Sequence, residues 1–463
     1  MTRFYIEQFG CRATQADGAA IERQLLDRGC SPSSSPKTAE FVVINTCTVT
    51  SAADAQARDA IRKIHAQNPA AKILVTGCYA QRAPEELAVL PGVSHVVGNS
   101  HKPQIPNLIT AAKQDFVPIQ FVRSASPPAH CSPSPQVLTG DIFATREVLV
   151  APILGGEGNH TRPTLKIQDG CNNRCSFCVI PFVRGRSRSL PPEKVLAEIR
   201  RLSDSGFQEI VLSGINLGSW GRDLSPRADI LDLLRRILDE TDLARLRISS
   251  IEPLDVTQDL IALFAGTDRI AKHFHMPLQS GSDNVLAAMH RWYRTEHYAR
   301  RVKLIREFLP NAAIGADVIA GFPGETQADH EATLRFIDSL PFTYLHVFSY
   351  SSRPGTEAAA LGFQVRGEVI HRRARELRAL GESKAGAFRQ SQLNRTHRVL
   401  TLNHPEKSQN APWTSALSSN YLQFRIPEQL PANQFLEVRA VASGESFLRA
   451  EAIASPQLTA ASA

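Results

Sequence analysis

At 463 residues the chain is too long for one ordinary core, and two or three domains are expected. Its 43% hydrophobic and 21% charged content fit a soluble globular protein. No apolar run reaches the ~18–20 residues of a membrane span, and MTRFYIEQFG lacks the build of a signal peptide. A membrane protein and a secreted disulfide scaffold are therefore excluded as expectations. A cytoplasmic location is expected, where clustered cysteines serve metals or catalysis. The net charge of +7 permits a polyanionic partner.

Residues 3–99 alternate strand-like runs (RFYIEQFG, EFVVINTC, KILVTGCYA, VSHVVGN) with helical ones (GAAIERQLLDRG, AADAQARDAIRKIHAQN). That rhythm predicts a parallel α/β domain. Cys11, Cys47 and Cys78 each close one predicted strand, 36 and 31 residues apart. The carboxyl ends of parallel strands share one edge, where ligands bind, so the fold is expected to gather the three thiols into a metal site. Next comes SASPPAHCSPSPQ, rich in proline and serine, which reads as a linker. Cys30 and Cys131 have no motif around them and read as non-ligands.

Six further strands follow: LKIQDG, EIVLSGIN, RLRISSIE, KHFHMPLQS, IGADVIAGFP and YLHVFSY. Helical segments such as PPEKVLAEIRRLSDSG and TQADHEATLRFIDSL separate them, so a partial (β/α)6 barrel is predicted. Residues 366–398 read as a basic, helix-prone stretch. HRVLTLN, NYLQFRIP, FLEVRAVA and FLRAEAI then predict a small β-barrel, and SPQLTAASA a disordered tail. The expected organisation is an N-terminal domain over 1–115, a linker over 116–156, the barrel over 157–390 and the small barrel over 391–455. The fold class is α/β throughout, apart from that last unit.

The loop after the first barrel strand carries Cys171, Cys175 and Cys178, at spacings of four and three. Three thiolates so placed can hold three irons of a cubane cluster, which ordinarily takes four cysteines. The fourth iron is left open, and open coordination marks a catalytic rather than a structural site. A zinc loop or three unrelated buried thiols are the alternatives.

The CxxxCxxC spacing resembles the signature of radical S-adenosylmethionine (SAM) enzymes. Joined to Gly10-Cys11, Asn45-Thr46-Cys47 and Gly77-Cys78, it resembles the methylthiotransferases over nearly the whole chain. Further matching runs are RGRSRS at 184–189, HMPLQSGS at 275–282, MHRWY at 289–293, DVIAGFPGET at 317–326 and FSYSSRPGT at 348–356. The C-terminal strands look like a TRAM domain, a small RNA-binding barrel. Asn45-Thr46-Cys47-Thr48-Val49-Thr50 most resembles the branch acting on threonylcarbamoyladenosine at position 37 of tRNA. Thr14 departs from the asparagine usual at that place.

The resemblance implies two four-iron, four-sulfur clusters, one on Cys171, Cys175 and Cys178 and an auxiliary one on Cys11, Cys47 and Cys78. One SAM would methylate sulfur on the auxiliary cluster, and a second would yield the radical that removes hydrogen from C2 of the adenine. Ser213, Gly214, Gln279 and Ser280 would contact SAM, and residues 321–324 would line the adenine pocket. Asp317 and His275 are expected to make a structural hydrogen bond. The partners implied are the anticodon arm of tRNA, an electron donor such as flavodoxin or ferredoxin, and a sulfur source, with no membrane. Alternatives are isopentenyladenosine-37, an aspartate of a small-subunit ribosomal protein, or a non-catalytic iron–sulfur or zinc protein that binds RNA.

Overall fold

FVVINT is buried at all six positions, as a strand covered by helices on both faces must be. It is β3 of a six-stranded parallel sheet in a computed structural model that describes residues 1–111, 134–149, 151–153, 161–403 and 413–453. The strands are β1 (Arg3–Gln8), β2 (Ser31–Pro32), β3 (Phe41–Thr46), β4 (Lys72–Gly77), β5 (Val93–Gly98) and β6 (Gln136–Leu138). Their order is β2-β1-β3-β4-β5-β6. The two edge strands, of two and three residues, were not expected, being too short to show a pattern. Phe41 and Val43 pack with Ile21 and Leu25 of the helix Arg12–Asp27. Val42 and Ile44 meet Ala57 and Ile61 of the helix Ser51–Gln67 on the other face. Each buried Val, Ile, Leu or Phe among them contributes about 1.5–3 kcal/mol. Thr50 caps the second helix by accepting from the Ala53 amide at 3.2 Å. Cys30 packs among Phe4, Ile21 and Leu25. Cys131, most of the linker and the tail lie outside the described residues.

The central strands are β7 (Pro152–Ile153), β8 (Thr164–Asp169), β9 (Arg188–Ser189), β10 (Glu209–Gly214), β11 (Arg245–Ile248), β12 (His273–His275), β13 (Ala313–Ala320) and β14 (Tyr344–Ser349). All six expected strands are present, as β8, β10, β11, β12, β13 and β14, parallel and neighbours in chain order. Bridges Leu246↔Ile270 and Ser250↔His275 join the two halves. Among the described residues β8 and β14 do not pair, and the N-terminal domain packs against both lips of this opening. Arg12 Nη1 donates to Thr164 Oγ1 on β8 at 3.0 Å. Beyond β14, Ser351 Oγ accepts from the Ser51 amide at 3.1 Å.

The helix Gly367–Ser391 buries Ala374 and Leu377 against the barrel. It ends seven residues short of the expected basic stretch, because Thr396 already opens a strand. Nor is that stretch one solvated face. Arg373 is buried against Glu325 at 2.7 Å, and Lys384 donates to the carbonyls of Asp338 and Leu340. The small barrel closes in the order β15-β16-β17-β19-β18, from β15 (Thr396–Thr401), β16 (Thr414–Ser418), β17 (Gln423–Ile426), β18 (Phe435–Ser443) and β19 (Leu448–Ala452). The sequence reading missed β16, since TSALS has little of the β-branched or aromatic bias of a strand. This barrel docks at the amino ends of β10 and β11. There Glu209 binds Arg247 at 2.8 Å, and Arg245 and Arg247 donate to the carbonyls of Leu417, Ser418 and Ser419.

Candidate functional site

Cys11, Cys47 and Cys78 leave the carboxyl ends of β1, β3 and β4, three neighbouring strands ~4.8 Å apart. Cys11 is the N-cap of the helix Arg12–Asp27, where the helix dipole favours an anionic sulfur. Gly10 stands before it at φ +99°, and a Cβ there would lie 2.3 Å from Cys47 Cβ. Only glycine lets the two cysteine segments approach so closely. Gly170, before Cys171, has φ +72°, and a Cβ there would meet the Arg186 carbonyl oxygen at 2.0 Å.

The sulfurs are met by donors. The Val49 amide donates to Cys47 at 3.5 Å, Asn99 to Cys78 at 3.6 Å, the Asn173 amide to Cys171 at 3.4 Å and Arg291 to Cys175 at 3.3 Å. Burial pushes the Cys47 thiol up to about 11 and the Cys178 thiol up to about 12. Such thiols stay protonated in water-poor surroundings unless a metal replaces the proton. The donor set therefore suits metal-bound thiolates. Among the described residues, the only three potential ligand atoms within 4.8 Å of one another belong to His275, Asp317 and His346. Sulfurs around one zinc sit about 3.8 Å apart, from Zn–S bonds of about 2.3 Å. Neither cysteine trio brings all three of its sulfurs within 4.8 Å of one another, so neither has the closeness of a single-zinc site.

A cavity of about 250 Å³ opens between Cys178 and the loop after Cys47, lined by Val49, Thr50, Phe177, Gln279, Asp317 and Arg353 among others. Gln279 adopts φ +64° and bridges to Val318, which carries it to the cavity wall. Ser213 and Gly214 end β10 at a register shift. Beyond them, Asn216 Nδ2 lies 3.9 Å from Cys171 Sγ, and Asn216 Oδ1 is buried without a partner. Ser280 lies behind the cavity wall. It is fully buried, and its hydroxyl is tied to Thr333 at 3.2 Å and to the Ser282 amide at 3.2 Å, so it holds a turn against a helix. Residues 321–324 form a turn too, with Phe322 in the core and the Gly321 amide on Glu325 at 2.8 Å. His275 Nε2 and Asp317 Oδ1 are 2.9 Å apart. Burial raises the Asp317 carboxyl, but hydrogen bonds from His275 and His346 outweigh this and hold it below its usual range.

The sequence reading had Asp169, Arg184 and Arg188 only as parts of matching runs and missed that, with Asp17, Lys102 and Lys166, they form one set of buried charges between the N-terminal sheet and the barrel. Lys166 inside the apolar strand LKIQDG was the available signal, since a charge there needs a partner.

An open barrel of six parallel strands, with three cysteines in the loop after its first strand, defines a radical SAM enzyme. The Radical SAM superfamily model matches residues 165–337, and that of Uncharacterized protein family UPF0004 matches residues 3–98. The chain is 37% identical over 384 residues to the Bacillus subtilis protein named threonylcarbamoyladenosine tRNA methylthiotransferase MtaB, covering 82% of this chain and 80% of that one. A protein of the same name from Aquifex aeolicus is 35% identical, covering 86% and 92%. The tRNA-2-methylthio-N(6)-dimethylallyladenosine synthase of Syntrophobacter fumaroxidans is 33% identical, covering 98% and 96%. Among solved structures, the radical SAM methyltransferase TsrM from Kitasatospora setae, with cobalamin and a [4Fe-4S] cluster bound, aligns with a TM-score of 0.54 at 16% identity. It covers 78% of this chain and 77% of its own, a likeness of fold alone. The chain belongs to the methylthiotransferase family of radical SAM enzymes. No helix among the described residues is long and apolar enough to cross a membrane.

Proposed function

We propose that the protein adds a methylthio group to C2 of N6-threonylcarbamoyladenosine at position 37 of tRNA, using two four-iron clusters and two molecules of SAM. The observation that carries this reading is a cavity bordered by Cys178 on one side and the loop after Cys47 on the other. When bound, a cluster with SAM at Cys171, Cys175 and Cys178 supplies a carbon radical, and a cluster at Cys11, Cys47 and Cys78 supplies sulfur. The chain's own part is to bring these together and keep water away. Phe177, Ile319 and Phe348 give the cavity an apolar lining. Asn216 Oδ1 and the backbone after Ser213 would accept from the amino group of SAM, and Gln279 would contact its polar groups.

The cavity's polar side supports the choice of adenosine. A threonylcarbamoyl group carries a carboxylate and a hydroxyl, and Thr50, Ser349, Ser351 and Arg353 offer it donors. Arg353 Nε is buried and without a partner. A dimethylallyl group would leave that Nε unpaired, and a buried polar group without its partner disfavours the wrong substrate. Of the relatives compared, the two at 37% and 35% identity are named for threonylcarbamoyladenosine and support the same choice. Other relatives, at 30–33%, are named for dimethylallyladenosine and keep that substrate as the second reading.

The small barrel sits at the amino ends of the strands and the cysteine loop at the carboxyl ends, a strand length of about 20 Å away. An RNA arm gripped through its phosphates can span that distance. The partners proposed are the anticodon arm, a flavodoxin or ferredoxin as electron donor and a separate sulfur source, in the cytoplasm where tRNA is modified. Mass spectrometry of tRNA nucleosides from a deletion strain tests the reading. Methylthio-threonylcarbamoyladenosine should disappear while its unmodified parent accumulates, and an unchanged profile would overturn it.

A further inference from the structure

Six charged side chains fill the seam between the N-terminal sheet and the barrel, and they run from one cysteine trio to the other. Asp17 lies on the helix that Cys11 caps and is 2% exposed. It accepts from Lys102 at 2.7 Å, from Arg184 at 3.1 Å and from Lys166. Asp169, two residues before Cys171, accepts from Lys166 at 2.8 Å and from Arg184 Nη1 at 3.0 and 3.2 Å, with Arg188 at 3.9 Å.

Arg184, also 2% exposed, touches the framework of both trios. Its Nη2 donates to Thr14 Oγ1 at 3.3 Å, and that oxygen is 3.6 Å from Cys11 Sγ. The next residue, Gly185, accepts the Cys171 amide at 3.1 Å. Val183, immediately before it, packs with Val179 on Cys78, and the Val183 carbonyl accepts from Asn99 at 2.7 Å. Arg184 Nε is buried without a hydrogen-bond partner.

The count of charges is uneven. Four cations face two carboxylates, and Asp223 acts on Arg188 from the far side, so at least one positive charge is in surplus within the buried seam. Buried charge without a counterpart is strongly unfavourable, and apolar residues would serve better if the seam only had to hold the domains together. The thiolates of Cys11, Cys47 and Cys78 are the anionic counterpart the geometry supplies.

We propose that Arg184 is a positioning residue whose network, with Lys102, holds an iron–sulfur centre on Cys11, Cys47 and Cys78 in its more negative states and fixes its distance from the Cys171 loop. This rests on the reading that those three cysteines carry such a centre. Positive charge beside a centre favours its reduced form, and negative charge opposes it.

The test uses full-length protein carrying Cys171→Ala, Cys175→Ala and Cys178→Ala, reconstituted with iron and sulfide and titrated reductively under EPR. Arg184→Gln and Lys102→Met should lower the midpoint potential, Asp17→Asn should raise it, and Arg184→Lys should stay near the parent. A purely structural role would not give opposite signs. If the centre loads with about four irons and all variants move together or none moves, the inference falls while the cluster reading stands. If the three-cysteine parent binds no iron, both fall. Should Arg184→Gln fail to fold, Lys102→Met against Asp17→Asn keeps the opposite signs measurable.

Discussion

Arg353, beyond the last barrel strand, donates to the carboxylate of Asp54 in the N-terminal domain, 299 residues earlier in the chain. Arg82 binds the same carboxylate at 3.2 Å, and Thr48 donates to it at 2.7 Å while accepting from both arginines at 2.9 Å. This cluster and the Arg184 network hold the N-terminal sheet against opposite lips of the open barrel. Both cysteine trios keep their places through these contacts.

Asp54→Ala should leave Arg353 buried without its counter-ion, Arg82 keeping Glu86 at 3.8 Å, and cost about 3–5 kcal/mol of stability. Arg62→Ala, which removes an exposed pair with Asp59, should cost less than about 1 kcal/mol. Urea unfolding of the two variants checks this, and equal shifts would contradict it.

Gly10→Ala should place a methyl group on Cys47 and spoil the N-terminal site alone. Iron analysis after anaerobic reconstitution should give about four irons per chain in place of about eight. Cys30→Ala, in the apolar cluster with Phe4 and Leu25, should leave about eight.

Acid should loosen the small barrel through Glu209. Burial raises its pKa, but Arg247, Arg245 and Arg162 outweigh burial and hold it well below 4.5. A carboxyl depressed on folding gives stability that is complete above its unfolded pKa and is lost as pH falls. The contribution is thus present at pH 7 and declines below 4.5. Glu209→Gln should be less stable at pH 7 and should lose less between pH 4.5 and lower values. Unfolding curves across that range decide it. A variant with the wild-type acid slope would refute the assignment.

Much of this was legible in the sequence because it is written in local patterns. The barrel strands show as apolar runs, and the glycines before Cys11, Cys78 and Cys171 mark the sharp turns that present each thiol. The edge strand β2 and strand β16 were not legible, because pairing with a neighbour, not their own composition, makes them strands. The charge network was hidden for a related reason. Asp17, Lys102 and Arg184 are far apart in the chain; the first two alone read as ordinary surface residues, and the run that holds Arg184 does not say what it binds. Nor does the sequence show where the Ser280 hydroxyl turns, since its motif lies at a strand end while that hydroxyl meets Thr333.

RNA binding should depend on the outward faces of β18 and β19, where Arg439 and Arg449 are exposed while Ala440 and Ala450 face the core. Replacing both arginines with alanine should weaken binding of an anticodon stem-loop and lower the slope of log affinity against log salt by about 1–2. Filter binding at several salt concentrations measures this, and an unchanged slope would move the RNA to another face.

The most direct test is a reaction of the reconstituted protein with SAM, a low-potential reductant and anticodon stem-loops bearing either threonylcarbamoyladenosine or isopentenyladenosine at position 37. Nucleoside mass spectrometry should find a methylthio group on the first and leave the second unchanged. Modification of the second alone, or of neither with both clusters loaded, would contradict the account.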